Sequence, residues 1–310
     1  MCRNADSLYY PIKESILSIL PIVDEFVIAV GKGSVGDKTR ELIESIDSSK
    51  IRIIDTVWDT EKFRKGSVHA QQTDLAKSEC KGDWLFYLQA DEVVHEKDHK
   101  TIVEACEKYK SDLRVDGFVF DYIHFWGDYN HYHNSHVWYD REIRIVRNDP
   151  TIHSWKSAQS FRRYDDFNES KYLEKEGTSK LKVHCLKAKV YHYGWVRPPE
   201  MMTKKINALD KIHSHAKERQ LAPFSYGNLN AIPLFRGTHP SVMKEWISKF
   251  NWSSQLQYTG NRNKKRNPHK HEKFKYRLLS FIENTFLNGE VIGGFKNYTI
   301  IEKSEIREEK

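Results

Sequence analysis

Carboxylates stand where apolar segments of this sequence end. Residues 84–88 (Trp-Leu-Phe-Tyr-Leu) form a continuous apolar run, and Gln-Ala-Asp-Glu follows at once, which places Asp91 and Glu92 just beyond it. A short apolar run bounded by polar residues is typical of a strand buried on both faces of a parallel sheet. Open α/β sheets bind ligands at the carboxyl ends of such strands. Asp91 is therefore a candidate binding residue, and a solvated turn is the alternative.

A second carboxylate, Asp55, ends the apolar segment at residues 50–55 (Lys-Ile-Arg-Ile-Ile-Asp) in the same way. Carboxyl ends of parallel strands in one sheet open into one crevice, so we expect Asp55 and Asp91 to face the same space. One acid there can accept hydrogen bonds from a base or ribose. The other can hold Mg²⁺ or Mn²⁺ beside a pyrophosphate, because these cations prefer oxygen ligands.

The loop at residues 31–36 carries three glycines with the spacing G-x-G-x-x-G, and Asp55 follows about 20 residues later, as in dinucleotide-binding folds. Asp37 argues against that interpretation, because it places a carboxylate where a pyrophosphate would meet the helix. Asp37 and Thr39 are also suited to cap the helix that follows. The loop by itself favours a turn and a cap over a dinucleotide site.

Four histidines lie close together in the chain, in a stretch rich in Trp, Tyr and Asn: His124, His131, His133 and His136. Imidazoles are common zinc ligands. The H-E-x-x-H pattern of zinc proteases is absent from the sequence, and the stretch has the composition of a loop. A zinc site remains an alternative for this stretch.

The elements that must position these side chains alternate along the chain. Apolar, β-branched runs predict strands at 25–30, 50–55 and 83–88, and helical spacing predicts helices at 39–46 and 68–80. Alternation of strand and helix at this spacing predicts a parallel, doubly wound α/β sheet. Further patterns predict helices at 98–109 and 200–220 and strands at 117–123, 142–147 and 188–193.

Composition limits the class of protein. The 310 residues carry a net charge of +7, which attracts anionic partners without choosing among them. The 4 cysteines are scattered, the first residues are polar, and no apolar run approaches the roughly 20 residues that cross a bilayer. We expect a cytoplasmic protein. Residues 260–277 carry ten Lys, Arg and His side chains, which form either a solvated face or a peripheral contact with acidic membranes or nucleic acid.

The sequence G-D-W-L-F-Y-L-Q-A-D-E at residues 82–92, with Y-H-Y-G-W at 191–195, resembles family 2 glycosyltransferases of the A-type fold (GT-A). The resemblance covers residues 3–196. It implies a GT-A-like, Rossmann-type, mostly parallel sheet with flanking helices. It further implies a divalent metal (Mg²⁺ or Mn²⁺), a nucleotide-sugar donor and inverting transfer to a hydroxyl of a glycan, lipid-linked or protein acceptor, as in polysaccharide biosynthesis.

The resemblance also assigns residues. A D-x-D motif in that family holds the metal on the donor diphosphate, and here Gln89 stands in the first position of that motif. The family opens with a strand that contacts the nucleobase, and residues 1–4 leave room only for a truncated or minimal one. The implied donor-binding residues are Asp37, Thr39, Asp55, Gln89, Asp91 and Arg197, and the implied metal ligands are Asp91 and His192.

On the acceptor side, an inverting transfer needs a base that takes the proton of the acceptor hydroxyl. The family supplies an Asp or Glu, and Asp140 or Glu142 in W-Y-D-R-E stands at the matching place, with a surface salt-bridge set as the alternative. Aromatic faces pack against sugar rings, and core packing is their other role. The further acceptor-side candidates are Trp126, Trp138, Trp155 and His153.

Two regions follow from this interpretation: a GT-A-like nucleotide-sugar and acceptor domain at residues 1–198, and a mainly helical, basic extension at 199–310. Under it we expect no nucleic-acid partner. The rival hypothesis is a non-catalytic or degenerate transferase-like α/β binding protein, whose basic C-terminal surface contacts nucleic acid or acidic membranes. Binding to nucleic acid would weaken steeply with salt, whereas a pyrophosphate–metal site would depend on the metal.

Overall fold

A computed structural model describes residues 1–214, 223–260, 266–287, 289–294 and 296–301 of the chain. These residues contain eleven strands and seven α-helices. The strands are β1 (Phe26–Gly31), β2 (Ile51–Thr56), β3 (Trp84–Phe86), β4 (Glu92–Val94), β5 (Gly117–Trp126), β6 (Tyr132–His133), β7 (Arg141–Arg147), β8 (Ile152–Trp155), β9 (Ser160–Tyr164), β10 (Thr178–Trp195) and β11 (Tyr298–Ile300). The helices are α1 (Ile12–Ile19), α2 (Thr39–Glu44), α3 (Ser67–Ser78), α4 (His99–Lys108), α5 (Pro199–Ser214), α6 (Lys244–Ser248) and α7 (Phe274–Phe286).

A small parallel sheet is formed by β1 and β2, with Phe26 opposite Ile51 at one end and Gly31 opposite Thr56 at the other. Its apolar side chains pack with α1 and α2 in one cluster, in which Ile16 and Ile43 are buried. The carboxyl ends of both strands therefore meet at the glycine loop, as the sequence predicted for this pair.

The main sheet has nine strands among the described residues and runs in the order β3-β7-β5-β10-β9-β8, with β4 and β11 paired to β10 and β6 paired to β5. Only β5–β10 and β10–β11 pair in parallel, and the other contacts between its strands are antiparallel. The sheet is mixed and curls strongly into a half-barrel. β10 is its longest strand and contacts strands from both halves of the chain.

The predicted GT-A-like, Rossmann-type, mostly parallel sheet is therefore wrong. The third predicted strand, β3, pairs antiparallel with β7 rather than joining β1, with Trp84 opposite Arg147. A cavity of about 300 Å³ is lined by residues of both β1 and β3, among them Phe26 and Leu85. Apolar runs identify buried strands, but any buried strand carries the same pattern whichever neighbour it pairs with.

Strand β4 fixes the position of the chain around Asp91. This short strand pairs antiparallel with the end of β10, and Glu92 lies opposite His192. The backbone N–H of Tyr193 donates to the Asp91 carbonyl at 2.8 Å. After β10 the chain turns at Pro198 and α5 begins at Pro199. The end of β10 thus brings the Asp91 turn and the first turns of α5 together.

The C-terminal residues pack onto the main sheet. Met243 and Trp252 are buried in a cluster with Phe125 and Tyr193 of the sheet. The helix predicted at 200–220 is described as far as Ser214, and the rest of that range lies outside the described residues, as does part of the basic run. None of the helices in the described part of the chain is both long and apolar enough to cross a membrane.

Candidate functional site

Asp91 lies at the centre of a buried polar group. Its Oδ2 atom lies 3.0 Å from Nζ of Lys205 and 3.7 Å from Nε2 of His192. The Lys205 ammonium also donates to the carbonyl of Gly194 at 2.8 Å. Asp91 is 4% exposed and Lys205 is 7% exposed, so the ion pair is removed from water. The structure thus brings Asp91 and His192 together and places a lysine on the same carboxylate.

Gly194 allows the backbone of β10 to approach this group closely. A Cβ atom at this position would lie 2.4 Å from Nε2 of His192 and 2.6 Å from Oδ2 of Asp91. Atoms cannot approach so closely, so any other residue would displace one of the two side chains. The glycine of Y-H-Y-G-W is therefore a geometric requirement of the site.

Sequence reasoning missed Lys205. It lies on α5, where Met202 and Lys205 are both buried and three residues apart, hence on one face of the helix. The sequence did contain a signal, because Lys205 stands at an apolar position of the helical pattern. Since lysine is rarely buried without a partner, a lysine at such a position predicts a buried acidic partner.

His124 and His192 are hydrogen-bonded to each other beside Asp91. Nε2 of His124 lies 2.8 Å from the carbonyl oxygen of Tyr139, and Nδ1 of His124 lies 2.9 Å from Nδ1 of His192. A carbonyl only accepts, so His124 carries its proton on Nε2. Burial, reinforced by the charge of His192, holds the pKa of His124 well below its usual range, so its Nδ1 accepts from His192.

The charges of the group act strongly on one another. Burial alone would raise the pKa of Asp91, but the positive charge of Lys205, with His192 and Arg197, lowers it well below its usual range. Burial, with the like charge of Arg197, lowers the pKa of Lys205 to about 8 even though Asp91 opposes that shift. Asp91 is therefore ionised at neutral pH, and Lys205 carries a proton.

Arg197 is a second buried cation beside this group. Its side chain is 0% exposed, and Nη1 donates to the carbonyl of Leu8 at 2.6 Å. The guanidinium lies over the ring of Tyr10 at 4.5 Å, and Nζ of Lys205 lies 5.0 Å from the same ring. Nε and Nη2 of Arg197 have no hydrogen-bond partner among the described residues. The sequence assigned Arg197 to phosphate, and the structure buries it with free donors.

The glycine loop borders a cleft of about 530 Å³ at the carboxyl ends of β1 and β2. Asp37 accepts hydrogen bonds there from the backbone N–H groups of Ser7 and Thr39. Asp55 forms an exposed ion pair with Arg40 at 2.5 Å. The structure therefore brings three predicted donor-side residues to one cleft, whose lining includes Gly31, Gly33, Asp37, Thr39, Arg40 and Asp55.

Residues 4–10 contact both the glycine-loop cleft and the buried group around Asp91. Asn4 accepts from the backbone N–H of Ser34 at 2.8 Å, and the Ser7 hydroxyl donates to Asp37 at 2.8 Å. Further along the same segment, Leu8 and Tyr10 contact Arg197. The cleft and the Asp91 group are thus linked through one stretch of chain.

The side chains of Gln89 and Glu92 bond to residues outside the Asp91 group. Nε2 of Gln89 donates to the carbonyl of Ala158 at 3.3 Å. Glu92 accepts two hydrogen bonds from Arg144, at 2.7 and 2.8 Å, and one from the Tyr122 hydroxyl at 2.9 Å. Both members of this ion pair are fully buried. Glu92 therefore holds strands together, and Gln89 is separate from the Asp91 group.

The two candidate bases differ in their surroundings. Glu142 is buried on β7, and burial raises its pKa to about 7, although the charge of Arg144 opposes this. Its Oε2 atom has no hydrogen-bond partner among the described residues. Asp140 is half-buried. Within the described contacts, neither carboxylate bonds directly to Asp91, His192 or Lys205.

Two of the three predicted tryptophan platforms lie near the site. Trp126 and Trp138 pack with Trp195, at ring-centroid distances of 5.1 and 5.6 Å from it, and Trp195 lies 5.9 Å from Nζ of Lys205. Sequence reasoning missed Trp195. Trp155 lies elsewhere, where it donates to the carbonyl of Glu174.

The structure separates the remaining histidines. His131 pairs with Asp128, His136 pairs with Glu283, and His133 stacks on Trp138 instead of joining them. His153 pairs with Asp74 at 2.8 Å. The four imidazoles of the alternative zinc site therefore have four different sets of partners.

A resident divalent metal does not fit the Asp91 group as it stands. The Lys205 ammonium already lies on the carboxylate oxygen that faces His192, and a dication there would meet its like charge. In the described part of the chain, no group of three or more His, Cys, Asp or Glu side chains is placed to hold one ion.

Comparisons with known proteins do not assign the chain to a family. The chain matches no protein-family model, and it matches no curated protein.

Proposed function

We propose that this chain is a glycosyltransferase that moves a sugar from a nucleotide-diphosphate donor to a hydroxyl acceptor, with inversion at the sugar carbon. The observation that carries the proposal is the buried group of Asp91, His192 and Lys205 beside the free donors of Arg197. Fixed cations in a site without water stabilise the charge that a departing diphosphate acquires.

The other parts of the site support the same reaction. The cleft at the glycine loop offers Asp37 and Asp55 to a nucleoside. Trp138 and Trp195 are half-buried aromatic side chains, a type that commonly lines sites for small molecules. The resemblance of residues 82–92 to family 2 glycosyltransferases supports it as well.

Asp140 or Glu142 is the proposed base for the acceptor hydroxyl. A general base works best when its pKa lies near the working pH, and burial brings Glu142 to about 7. The proposed acceptor is a hydroxyl of a glycan, a lipid-linked sugar or a protein.

Replacing Asp91 tests the proposal. We expect Asp91→Asn to slow the release of UDP or GDP from the matching sugar nucleotide by about 100-fold or more, because Lys205 and His192 lose the carboxylate that positions them. Turnover is measured for a panel of UDP- and GDP-sugars, with and without Mn²⁺. The matched control is Asp83→Asn, since the Asp83 side chain is 62% exposed and pairs with Lys110 on the surface.

Two results would contradict the proposal. One is that the wild-type chain binds none of the sugar nucleotides under either condition. The other is that Asp91→Asn, with an unchanged circular-dichroism spectrum, turns over as fast as wild type. Binding without turnover to any acceptor would favour the non-catalytic alternative instead.

A further inference from the structure

Two buried cations share one carboxylate at the end of β10. Asp91 is ion-paired with Lys205, and none of the described carboxylates lies within ion-pairing distance of Arg197. His192 adds no negative charge. A buried charge without a counterion is strongly unfavourable, so the imbalance indicates that an anion belongs at this place.

The free donors of Arg197 identify the kind of anion. Nη1 is used by the Leu8 carbonyl, which leaves Nε and Nη2 without partners among the described residues. Two adjacent guanidinium N–H groups match the spacing of two oxygens on a phosphate or carboxylate group. Lys205 adds a compact charge close to Arg197, since both cations contact the Tyr10 ring.

We infer that Lys205 and Arg197 bind the diphosphate of the donor directly and take the place of the divalent metal. This inference rests on the proposed function. In the transfer, the bond between the sugar carbon and the diphosphate oxygen breaks, and its electron pair goes to that oxygen. The acceptor oxygen forms the new bond to the sugar carbon and gives its proton to the base. The two cations stabilise the negative charge on the departing diphosphate.

Access to the pair runs past residues 4–10. Because Arg197 is 0% exposed and Lys205 is 7% exposed, neighbouring side chains have to shift before a diphosphate reaches them, and the Tyr10 ring is the neighbour that contacts both cations. Ser7 of the same segment contacts Asp37 in the glycine-loop cleft. A nucleoside in that cleft therefore lies against the segment that covers the cations.

Binding in the absence of metal tests the inference on the unmodified chain. UDP and GDP are titrated into the full-length protein by calorimetry, once after exhaustive treatment with EDTA and once with added Mn²⁺. We expect the Kd of the nucleotide that binds to agree within about twofold between the two conditions. Binding that disappears with EDTA and returns with Mn²⁺ would overturn the inference and leave the proposed function standing. No binding of either nucleotide in either condition would overturn both.

Variants of the lysine test its role. We expect Lys205→Ala to weaken diphosphate binding by about tenfold or more with or without Mn²⁺, and to leave the much weaker binding of the matching nucleoside unchanged. A merely structural role for Lys205 would affect nucleoside and nucleotide alike, and that result would overturn the inference. Lys204→Ala is the matched control, because Lys204 is the exposed neighbour on the same helix. If Lys205→Ala does not fold, the EDTA comparison on the wild-type chain still decides.

Discussion

Lys205 illustrates how much a single side chain changes this site. A carboxylate followed by a distant histidine suggests a metal site, and the structure brings Asp91 and His192 together as expected. An ammonium group from α5 then lies on the same carboxylate oxygen. Two fixed cations of the protein, Lys205 and Arg197, therefore lie beside Asp91.

Glu142 gives a pH dependence with a definite sign. Burial raises its pKa from 4.5 to about 7, so the folded state binds its proton more tightly than the unfolded state does. Its contribution to stability is complete below about pH 4.5 and is lost as the pH rises to about 7. Glu142→Gln removes this loss, and we expect the variant to be more stable than wild type near pH 8 by at most about 3 kcal/mol.

Urea denaturation between about pH 5 and about pH 8 measures this difference. Glu104→Gln is the control, because the Glu104 side chain is 65% exposed in a surface ion pair and should change little. A Glu142→Gln variant whose stability falls with pH as steeply as that of wild type would show that another group titrates.

Strands β4 and β7 are joined by a buried ion pair that the sequence did not reveal. Glu92 and Arg144 are fully buried, and the two hydrogen bonds between them cross the sheet beside the Asp91 turn. Glu92 follows Asp91 directly, so this pair fixes where the turn stands. Adjacent acids in the sequence thus have different roles: Asp91 faces the site, and Glu92 anchors its strand.

Breaking the pair should destabilise the fold. We expect Arg144→Met to cost about 3–5 kcal/mol, because Glu92 would remain buried without its counterion. The double variant Glu92→Gln, Arg144→Met should recover much of that loss. Urea denaturation gives both values, with Arg52→Met as the control for an exposed ion pair expected to cost about 1 kcal/mol or less. Equal losses for Arg144→Met and Arg52→Met would refute the structural role.

Residues beyond β10 share a core with the main sheet. Trp252 is buried against Phe125, Tyr129 and Tyr193, and its Nε1 donates to the carbonyl of Gly127 at 3.0 Å. The helix that carries Lys205 begins in the same part of the chain. The site is therefore completed by residues that the sequence assigned to a separate C-terminal extension.

Truncating the Trp252 side chain should lower the stability of the whole protein in a single unfolding transition. We expect Trp252→Ala to lower the free energy of unfolding by about 3–5 kcal/mol, and tryptophan fluorescence and far-UV circular dichroism to report one coincident transition. Phe281→Ala, at a side chain that is 61% exposed, should change stability by less than about 0.5 kcal/mol. A Trp252→Ala variant as stable as wild type would show that the C-terminal residues contribute little to the common core.

Most of the strands and helices, and several members of the site, could be predicted from local patterns of residues. The runs that became β1, β2, β5 and β7 were predicted because a buried strand needs apolar side chains on the faces it hides. The resemblance to family 2 glycosyltransferases implied that Asp91 and His192 lie together, and the structure places them 3.7 Å apart.

The pairing of the strands and the identity of the cation that contacts Asp91 depend on how distant segments pack. An apolar run indicates that a strand is buried, but it does not indicate which strand pairs with it. The prediction of a parallel sheet was therefore wrong, and the observed sheet is mixed and curled. Lys205 reaches Asp91 across 114 positions of chain because α5 folds back against the end of β10. No local pattern encodes a contact of that kind, since it depends on how distant elements pack.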